Sequence, residues 1–137
     1  MSEPSEILSE VCAGNQDALD FCGDFYELLH MVDDLFDRDN QVTAEDVGHI
    51  LVSAIESFVR NPFFIEHKEA LLPAIRSAVV AWVDSEAWHT REDPRDKIAA
   101  HVMKSQYHEV IFMVAGIVGG LSHQMEMTRK HREYDWT

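Results

Sequence analysis

The stretch FCGDFYELLHMVDDLFD, residues 21–37, decides the fold because two side-chain patterns of helical period run through it. Its large apolar side chains recur at spacings of three and four and fall on one arc of a helix: Phe21, Phe25, Leu28, Leu29, Val32, Leu35 and Phe36. The opposite arc is polar and holds Asp20, Asp24, Glu27, His30, Asp34 and Asp37. Gly14-Asn15 supplies a break and an N-cap before this segment. The pattern therefore predicts an amphipathic helix that ends at about Arg38.

The rest of the chain carries helix signals and almost no strand signals, since it has no sustained alternation of apolar and polar residues. A short helix is predicted over Pro4 to Val11. Thr43-Ala44-Glu45-Asp46 has the form of a capping box and opens a helix to about Arg60. Asn61-Pro62 opens another, within which Pro73 predicts a kink or a split into Pro62–Leu72 and Ala74–His89.

The last helix is predicted to start at Asp93-Pro94 and to run to about Arg132, with a bend at the glycines near position 120. Its segment Val110–Leu121 is apolar on every side, which is typical of a buried core helix or of a subunit interface. Gly116 and Gly120 at four-residue spacing would permit close helix packing. A homodimer through Val110–Leu121 is therefore the alternative to a core position.

Taken together, these signals predict an all-α protein, a compact bundle of four to five main helices with a long, apolar C-terminal helix. The 137 residues are expected to form a single domain, in which residues 1–14 are an N-terminal segment with a short helix. Residues 134–137 are expected to be a frayed tail.

Composition excludes several classes of partner. Eleven basic and twenty-five acidic residues give a formal net charge of −14. This charge argues against nucleic acid, whose binding depends on neutralising phosphates with Lys and Arg, and against anionic membrane surfaces. The twelve-residue apolar run is shorter than a bilayer span. Cys12 and Cys22 form no CxxC motif, so buried, reduced thiols and a cytoplasmic location are expected.

The polar arc of residues 27–37 is the strongest candidate for a site. Five side chains that prefer metal ions lie within eleven residues: Glu27, His30, Asp33, Asp34 and Asp37. Carboxylates three or four residues apart repel one another on a helix, and the macrodipole disfavours them near its C-terminus. A sequence selected for stability alone would avoid this arrangement, whereas hard cations need several oxygen ligands. These residues therefore predict a Mg²⁺ or Mn²⁺ site, against the alternative of a solvated acidic face.

Asp33-Asp34-Leu35-Phe36-Asp37 fits the pattern DDxxD and resembles the aspartate-rich helix of class I terpenoid and polyprenyl synthases. The resemblance implies an all-helical fold in which Asp33 and Asp37, with Asp34 beside them, hold Mg²⁺ and a substrate diphosphate. It covers five residues. A second aspartate-rich or Asn/Ser/Glu metal motif is absent from the sequence, so the resemblance implies metal–diphosphate geometry and not prenyl transfer.

The sequence also matches parts of two other metal-binding patterns. The sequence from Asp37 is similar to an EF-hand loop, but it has Val42 and Gly48 where that loop needs Gly and a bidentate Glu. A ferritin-like di-metal carboxylate site would use two Glu-x-x-His pairs and two more glutamates. The residues available for it are Glu27 with His30, Glu86 with His89, Glu56 and Glu109.

Two functions of different class follow from these residues. In the first, the protein binds a divalent metal and acts on a diphosphate or nucleotide-like small molecule, with Glu27 or His30 as general base. The phosphates would then need Lys104, Arg76 or Arg60, and His108 or Glu109 would complete the site. In the second, the protein is a non-enzymatic acidic bundle for self-association or partner binding. The sequence does not decide whether the protein is an enzyme.

Overall fold

The computed structural model describes residues 3–37 and 41–133, and its regular secondary structure there is entirely α-helical. The all-α prediction is therefore confirmed. Six helices follow one another along the chain: α1 (Pro4–Cys12), α2 (Gln16–Asp37), α3 (Ala44–Val59), α4 (Pro62–His89), α5 (Pro94–Lys104) and α6 (Tyr107–His131). The predicted helix end at Arg38 and the predicted tail 134–137 lie outside the described residues.

Local capping fixes the predicted helix starts. The Asn15 side chain accepts a hydrogen bond from the backbone N–H of Ala18 at 3.0 Å. Thr43 and Asp46 form the predicted capping box, in which each side chain accepts from the other residue's backbone N–H. These bonds satisfy donors that a helix N-terminus leaves without an intrahelical partner. The helix starts inferred from these caps are confirmed.

The core lies where α1, α2, α4 and α6 meet. Its buried members include Val11 from α1, Phe21 and Phe25 from α2, Leu71 from α4 and Ile111 from α6. Helix α3 contributes no fully buried residue, although it packs beside α2 and its Phe58 touches the cluster. The apolar arc of α2 predicted from the sequence therefore faces the core in its first half.

Helix α4 bends at a different position from the one predicted. Its backbone stays helical at Pro73, and the non-helical dihedral angles lie at His67, with φ −111° and ψ 16°. A proline ring meets the carbonyl oxygen of the residue four positions earlier, here Glu69, so the distortion falls on the N-terminal side of the proline. The predicted kink in α4 is therefore present, but it lies at His67, so the division into Pro62–Leu72 and Ala74–His89 is wrong.

The predicted C-terminal helix is long and apolar but is interrupted after Lys104. The Ser105 hydroxyl and the Gln106 side-chain amide both donate to the carbonyl of Val102, at 2.9 and 3.3 Å. Such side-chain bonds compete with helical hydrogen bonds and favour a turn, which separates α5 from α6. The predicted bend at the glycines is present, because Gly120 has φ 84° and ψ −178°.

The apolar segment Val110–Leu121 serves mainly as core. Val110 to Phe112, Val114 and Ala115 are buried within the single chain, whereas Leu121 is exposed. By length and composition, the helical stretch Pro94–His131 is also apolar enough to cross a membrane, and a third of its most apolar window is buried in the protein. Central helices of soluble proteins meet the same criterion. The predicted cytoplasmic location stays a prediction.

Helix α1 is tied to both neighbours. Its Glu10 pairs with Lys130 at 2.5 Å and with the buried His131 at 3.2 Å, and the Lys130 hydrogen bond is the main cause that lowers the pKa of Glu10. The Cys12 and Cys22 sulfur atoms lie 3.8 Å apart as free, buried thiols, as expected. Their contact, together with burial, raises the pKa of the Cys22 thiol well above its usual value.

Candidate functional site

The structure divides the five predicted metal ligands between two environments. Glu27, Asp34 and Asp37 are exposed on the outer side of α2. His30 and Asp33 are half-buried and line a cavity between α2 and α4. The helical wheel accounts for Asp33, which lies next to the apolar arc. His30 lies on the polar arc, so its place in the cavity lining follows from how the helices pack.

Among residues 3–37 and 41–133, no three His, Cys, Asp or Glu side chains come close enough together to hold one metal ion. The described part of the ferritin-like set is also dispersed: Glu56 and His89 are exposed, and Glu109 is paired with Arg132. The polar arc of residues 27–37 is called the stripe below. Its exposed carboxylates, Glu27, Asp34 and Asp37, face solvent separately in this arrangement. The Mg²⁺ or Mn²⁺ site stays a prediction, as does the phosphorylated ligand.

This prediction is tested by thermal unfolding in the presence of Mg²⁺ or Mn²⁺. A metal bound only by the folded protein stabilises it by roughly 2.7 kcal/mol when its concentration is about 100 times the dissociation constant. If the stripe binds metal, the melting temperature rises with metal, and the double variant Asp34→Asn/Asp37→Asn loses this response.

The control for that experiment is Glu45→Gln, which removes an exposed carboxylate from α3 and should leave the response to metal unchanged. A melting temperature that does not respond to metal, together with higher stability of the double variant, would mean that the stripe is a solvated acidic face. Relief of repulsion between carboxylates four residues apart would then explain the stabilisation.

Asp24 lies on α2 one turn before the stripe, and its pKa is raised above the usual value. Partial burial is the main cause, and the nearby charges of Asp20 and Glu27 raise the pKa further. A hydrogen bond from Ser57 of α3 opposes this shift. Because the folded protein holds this proton better than the unfolded chain, ionisation of Asp24 as the pH rises lowers the stability of the fold.

Asp33 has a cationic partner on a distant part of the chain. Its Oδ1 atom lies 3.2 Å from Nζ of Lys104, in the last turn of α5, and the two side chains are 27% and 34% exposed. This oxygen is buried and makes no aligned hydrogen bond, so the contact is an ion pair only. Lys104, one of the predicted phosphate-binding residues, therefore already neutralises a carboxylate.

The cavity beside this ion pair measures about 190 Å³ and opens to solvent. Helices α2 and α4 form its walls, Phe58 of α3 closes one side, and Lys104 and Tyr107 approach from either side of the turn between α5 and α6. Its lining is almost wholly apolar and includes Phe25, Leu29, Val32, Ile75, Ala78, Val79 and Trp82. Phe36 meets the Trp82 ring edge to face, with 5.6 Å between the ring centres. The apolar pattern of α2 predicted the residues that form one wall of the cavity. No pattern in the sequence indicated that Trp82 and Phe58 would also line it.

His101 and His123, near the two ends of the C-terminal helix predicted from the sequence, do not line the cavity. Tyr107 and Lys104 line the cavity, whereas the side chain of His123 makes a 2.8 Å hydrogen bond to the carbonyl of Val11 and thereby fixes α6 against α1. His101 is exposed. Neither of these two histidines lies against the Glu27–Asp37 stripe.

The second candidate site is the outer face of α3. Five large apolar side chains there are between 43% and 64% exposed: Val47, Leu51, Val52, Ile55 and Val59. They occupy one continuous sector of the helix, and the half-buried sector that packs toward α2 is centred on Ile50, Ala54 and Ser57. This outer face is called the α3 apolar face below.

Comparison with known proteins adds no assignment: neither the models of protein families, nor the curated proteins, nor the solved structures gave a match to this chain.

Proposed function

We propose that this protein is a non-enzymatic helical interaction protein that self-associates through the α3 apolar face. The observation that carries the proposal is the position of α3 itself. The helix exposes its most apolar sector, and no residue of α3 is fully buried.

An exposed apolar sector of this size is unusual for a helix in a monomer. Helices of this length gain most of their stability from packing an apolar face, and their intrinsic propensity contributes little. Monomeric soluble proteins rarely expose contiguous apolar patches larger than a few hundred Å². A second surface that covers Leu51 and Ile55 would remove that area from water, which is favourable at about 25 cal/mol per Å².

The total accessible surface supports the same conclusion. It is 8728 Å² for a chain of 15.7 kDa. The scaling for folded monomers gives about 7,300 Å² for this mass, so the chain exposes roughly 1,400 Å² more. Standard protein interfaces bury about 1,600 Å² in total, or about 800 Å² from each partner. The α3 apolar face contributes to this excess, together with exposed apolar side chains of α4 such as Leu72, Val80 and Val83.

A second copy of the same chain is the occupant that this face fits best. None of the five residues of the α3 apolar face is charged, so two copies can meet about a two-fold axis through this face without burying a charge. The earlier prediction placed the dimer contact at Val110–Leu121. Most of that segment is already part of the core of the single chain, whereas all five side chains of the α3 apolar face are exposed.

The substitution Ile55→Glu is expected to abolish self-association, because it would bury an unpaired carboxylate in the contact. The measurement is molar mass by size-exclusion chromatography with light scattering, where wild type should give twice 15.7 kDa and the variant 15.7 kDa. The control is Leu121→Glu, which changes a similarly exposed apolar side chain on α6 and should remain dimeric. A monomeric wild-type protein overturns the proposal.

Salt dependence separates a second copy from a basic partner. Each copy carries a formal net charge of −14, so two copies repel one another over long range. The Debye length falls from about 30 Å at 0.01 M to about 8 Å at 0.15 M ionic strength. Self-association should therefore strengthen as salt is added, whereas binding to a basic partner would weaken.

A further inference from the structure

We infer that the cavity between α2 and α4 is a binding site for a small organic amine. The apolar body of this ligand would occupy the cavity, and its ammonium group would lie at Asp33. This site is separate from the α3 apolar face and does not depend on self-association.

The volume of the cavity sets the size of the ligand. At about 190 Å³ it is slightly larger than a dry protein cavity of about 150 Å³ that binds benzene. A single aromatic ring or a short alkyl chain therefore fits. The cavity opens to solvent, so a polar group attached to that body can remain at the rim.

The walls favour an apolar body joined to a positive charge. Phe25, Phe58, Trp82 and Tyr107 place aromatic rings around the space. Apolar contact with these rings holds the body of the ligand, and the negative faces of aromatic rings attract a cation at close range. An uncharged ligand would use only the first of these interactions.

Asp33 supplies the charge that selects an amine. Its buried Oδ1 atom faces Lys104 Nζ at 3.2 Å without an aligned hydrogen bond. Lys104 is 34% exposed on a flexible side chain, so it can withdraw into solvent when another ammonium group takes its place. The entering ammonium group would donate to the same carboxylate oxygen. The net charge of −14 also favours the approach of a cation over that of an anion.

A carboxylate ligand of the same shape is disfavoured for the opposite reason. It would place a second negative charge beside Asp33, and both carboxylates would share the single ammonium group of Lys104. Like charges at such a distance disfavour one another's ionised form.

The experiment compares three probes that share one phenyl ring: 2-phenylethylamine, 2-phenylethanol and 3-phenylpropanoate. Binding is followed by the NMR shift of the Trp82 indole and by tryptophan fluorescence. We expect the amine to bind about tenfold more tightly than the alcohol, because both can donate a hydrogen bond to Asp33 but only the ammonium group adds a charge–charge attraction. The carboxylate should bind most weakly.

Four variants locate the site. Ala78→Met fills the cavity and should abolish binding of the amine, whereas Ala87→Met adds the same side chain at an exposed position of α4 and should not. Asp33→Asn should reduce amine binding to the level of the alcohol while alcohol binding persists, which also shows that the variant is folded. Lys104→Met should strengthen amine binding, because it removes the competing ammonium group.

Two results would overturn the proposal. One is a carboxylate or alcohol that binds wild type as tightly as the amine does. The other is amine binding that Ala78→Met leaves unchanged, which would place the ligand outside this cavity.

Discussion

Replacing Phe21 with alanine is expected to lower the free energy of unfolding by about 4 kcal/mol. The side chain has no solvent exposure, and its ring lies near four other phenylalanine rings. The distances between ring centres are 5.9 Å to Phe25, 5.8 Å to Phe58, 6.0 Å to Phe63 and 5.9 Å to Phe64. These rings belong to α2, α3 and α4, so one side chain joins three helices.

The size of this effect has two causes. Removal of the ring forfeits its transfer free energy and leaves a cavity that rigid neighbours cannot fill, and such substitutions cost about 3–5 kcal/mol. Proteins of this kind are stable by only about 5–15 kcal/mol in total. The loss would therefore remove a large part of the stability, and urea unfolding monitored by circular dichroism measures it directly.

The matched control for this prediction is Phe36→Ala, on the same helix. Phe36 is 58% exposed and meets only the edge of the Trp82 ring among the described aromatic pairs, so its loss should cost less than about 1 kcal/mol. Equal losses for the two variants would mean that Phe21 does not occupy the centre of the core.

Replacing Asn61 with alanine is expected to cost about 2–3 kcal/mol, the second largest effect. Its side-chain oxygen accepts the backbone N–H of Phe64 at 2.9 Å and so caps α4. Its side-chain nitrogen donates to the carbonyl of Asp17 at 2.9 Å and so joins α4 to α2. Asn61 is buried, so its loss leaves the Phe64 N–H without a partner and away from water, and it removes the bond that links the Asp17 carbonyl to α4.

Thr43→Ala serves as the comparison, because Thr43 caps α3 by the same kind of bond at an exposed position. Loss of an exposed cap costs about 1 kcal/mol, since water can satisfy the freed N–H group. Thermal and urea unfolding of both variants measure the difference. If Asn61→Ala costs no more than Thr43→Ala, the bond to Asp17 contributes nothing to stability.

The helix starts were the part of the fold most predictable from the sequence, because capping is local. The capping box at Thr43, the Asn61-Pro62 start and the Asp93-Pro94 start all involve residues within four positions of one another. The breaks inside helices were less predictable. The bend near Pro73 falls at His67, and the turn at Ser105 depends on two side chains that bond one carbonyl.

The candidate sites were predictable only in part, for a related reason. The spacing of Glu27 to Asp37 shows which side chains share a face of a helix, but it does not show what lies opposite that face. Asp33 meets Lys104, which is 71 positions later in the chain, and no local pattern joins the two residues. Likewise, the apolar sector of α3 is evident in the sequence, but its exposure follows from how α2 and α4 pack.

By itself, the sequence determined that this protein is all-α, where most of its helices begin, and which faces of those helices are apolar or acidic. These properties depend on interactions over one or two turns of a single helix. The tertiary structure alone decided that His30 and Asp33 face a cavity, that Lys104 pairs with Asp33, and that α3 leaves its apolar face uncovered. Those outcomes depend on contacts between helices far apart in the chain, and several arrangements of the same amphipathic helices satisfy the local pattern equally well.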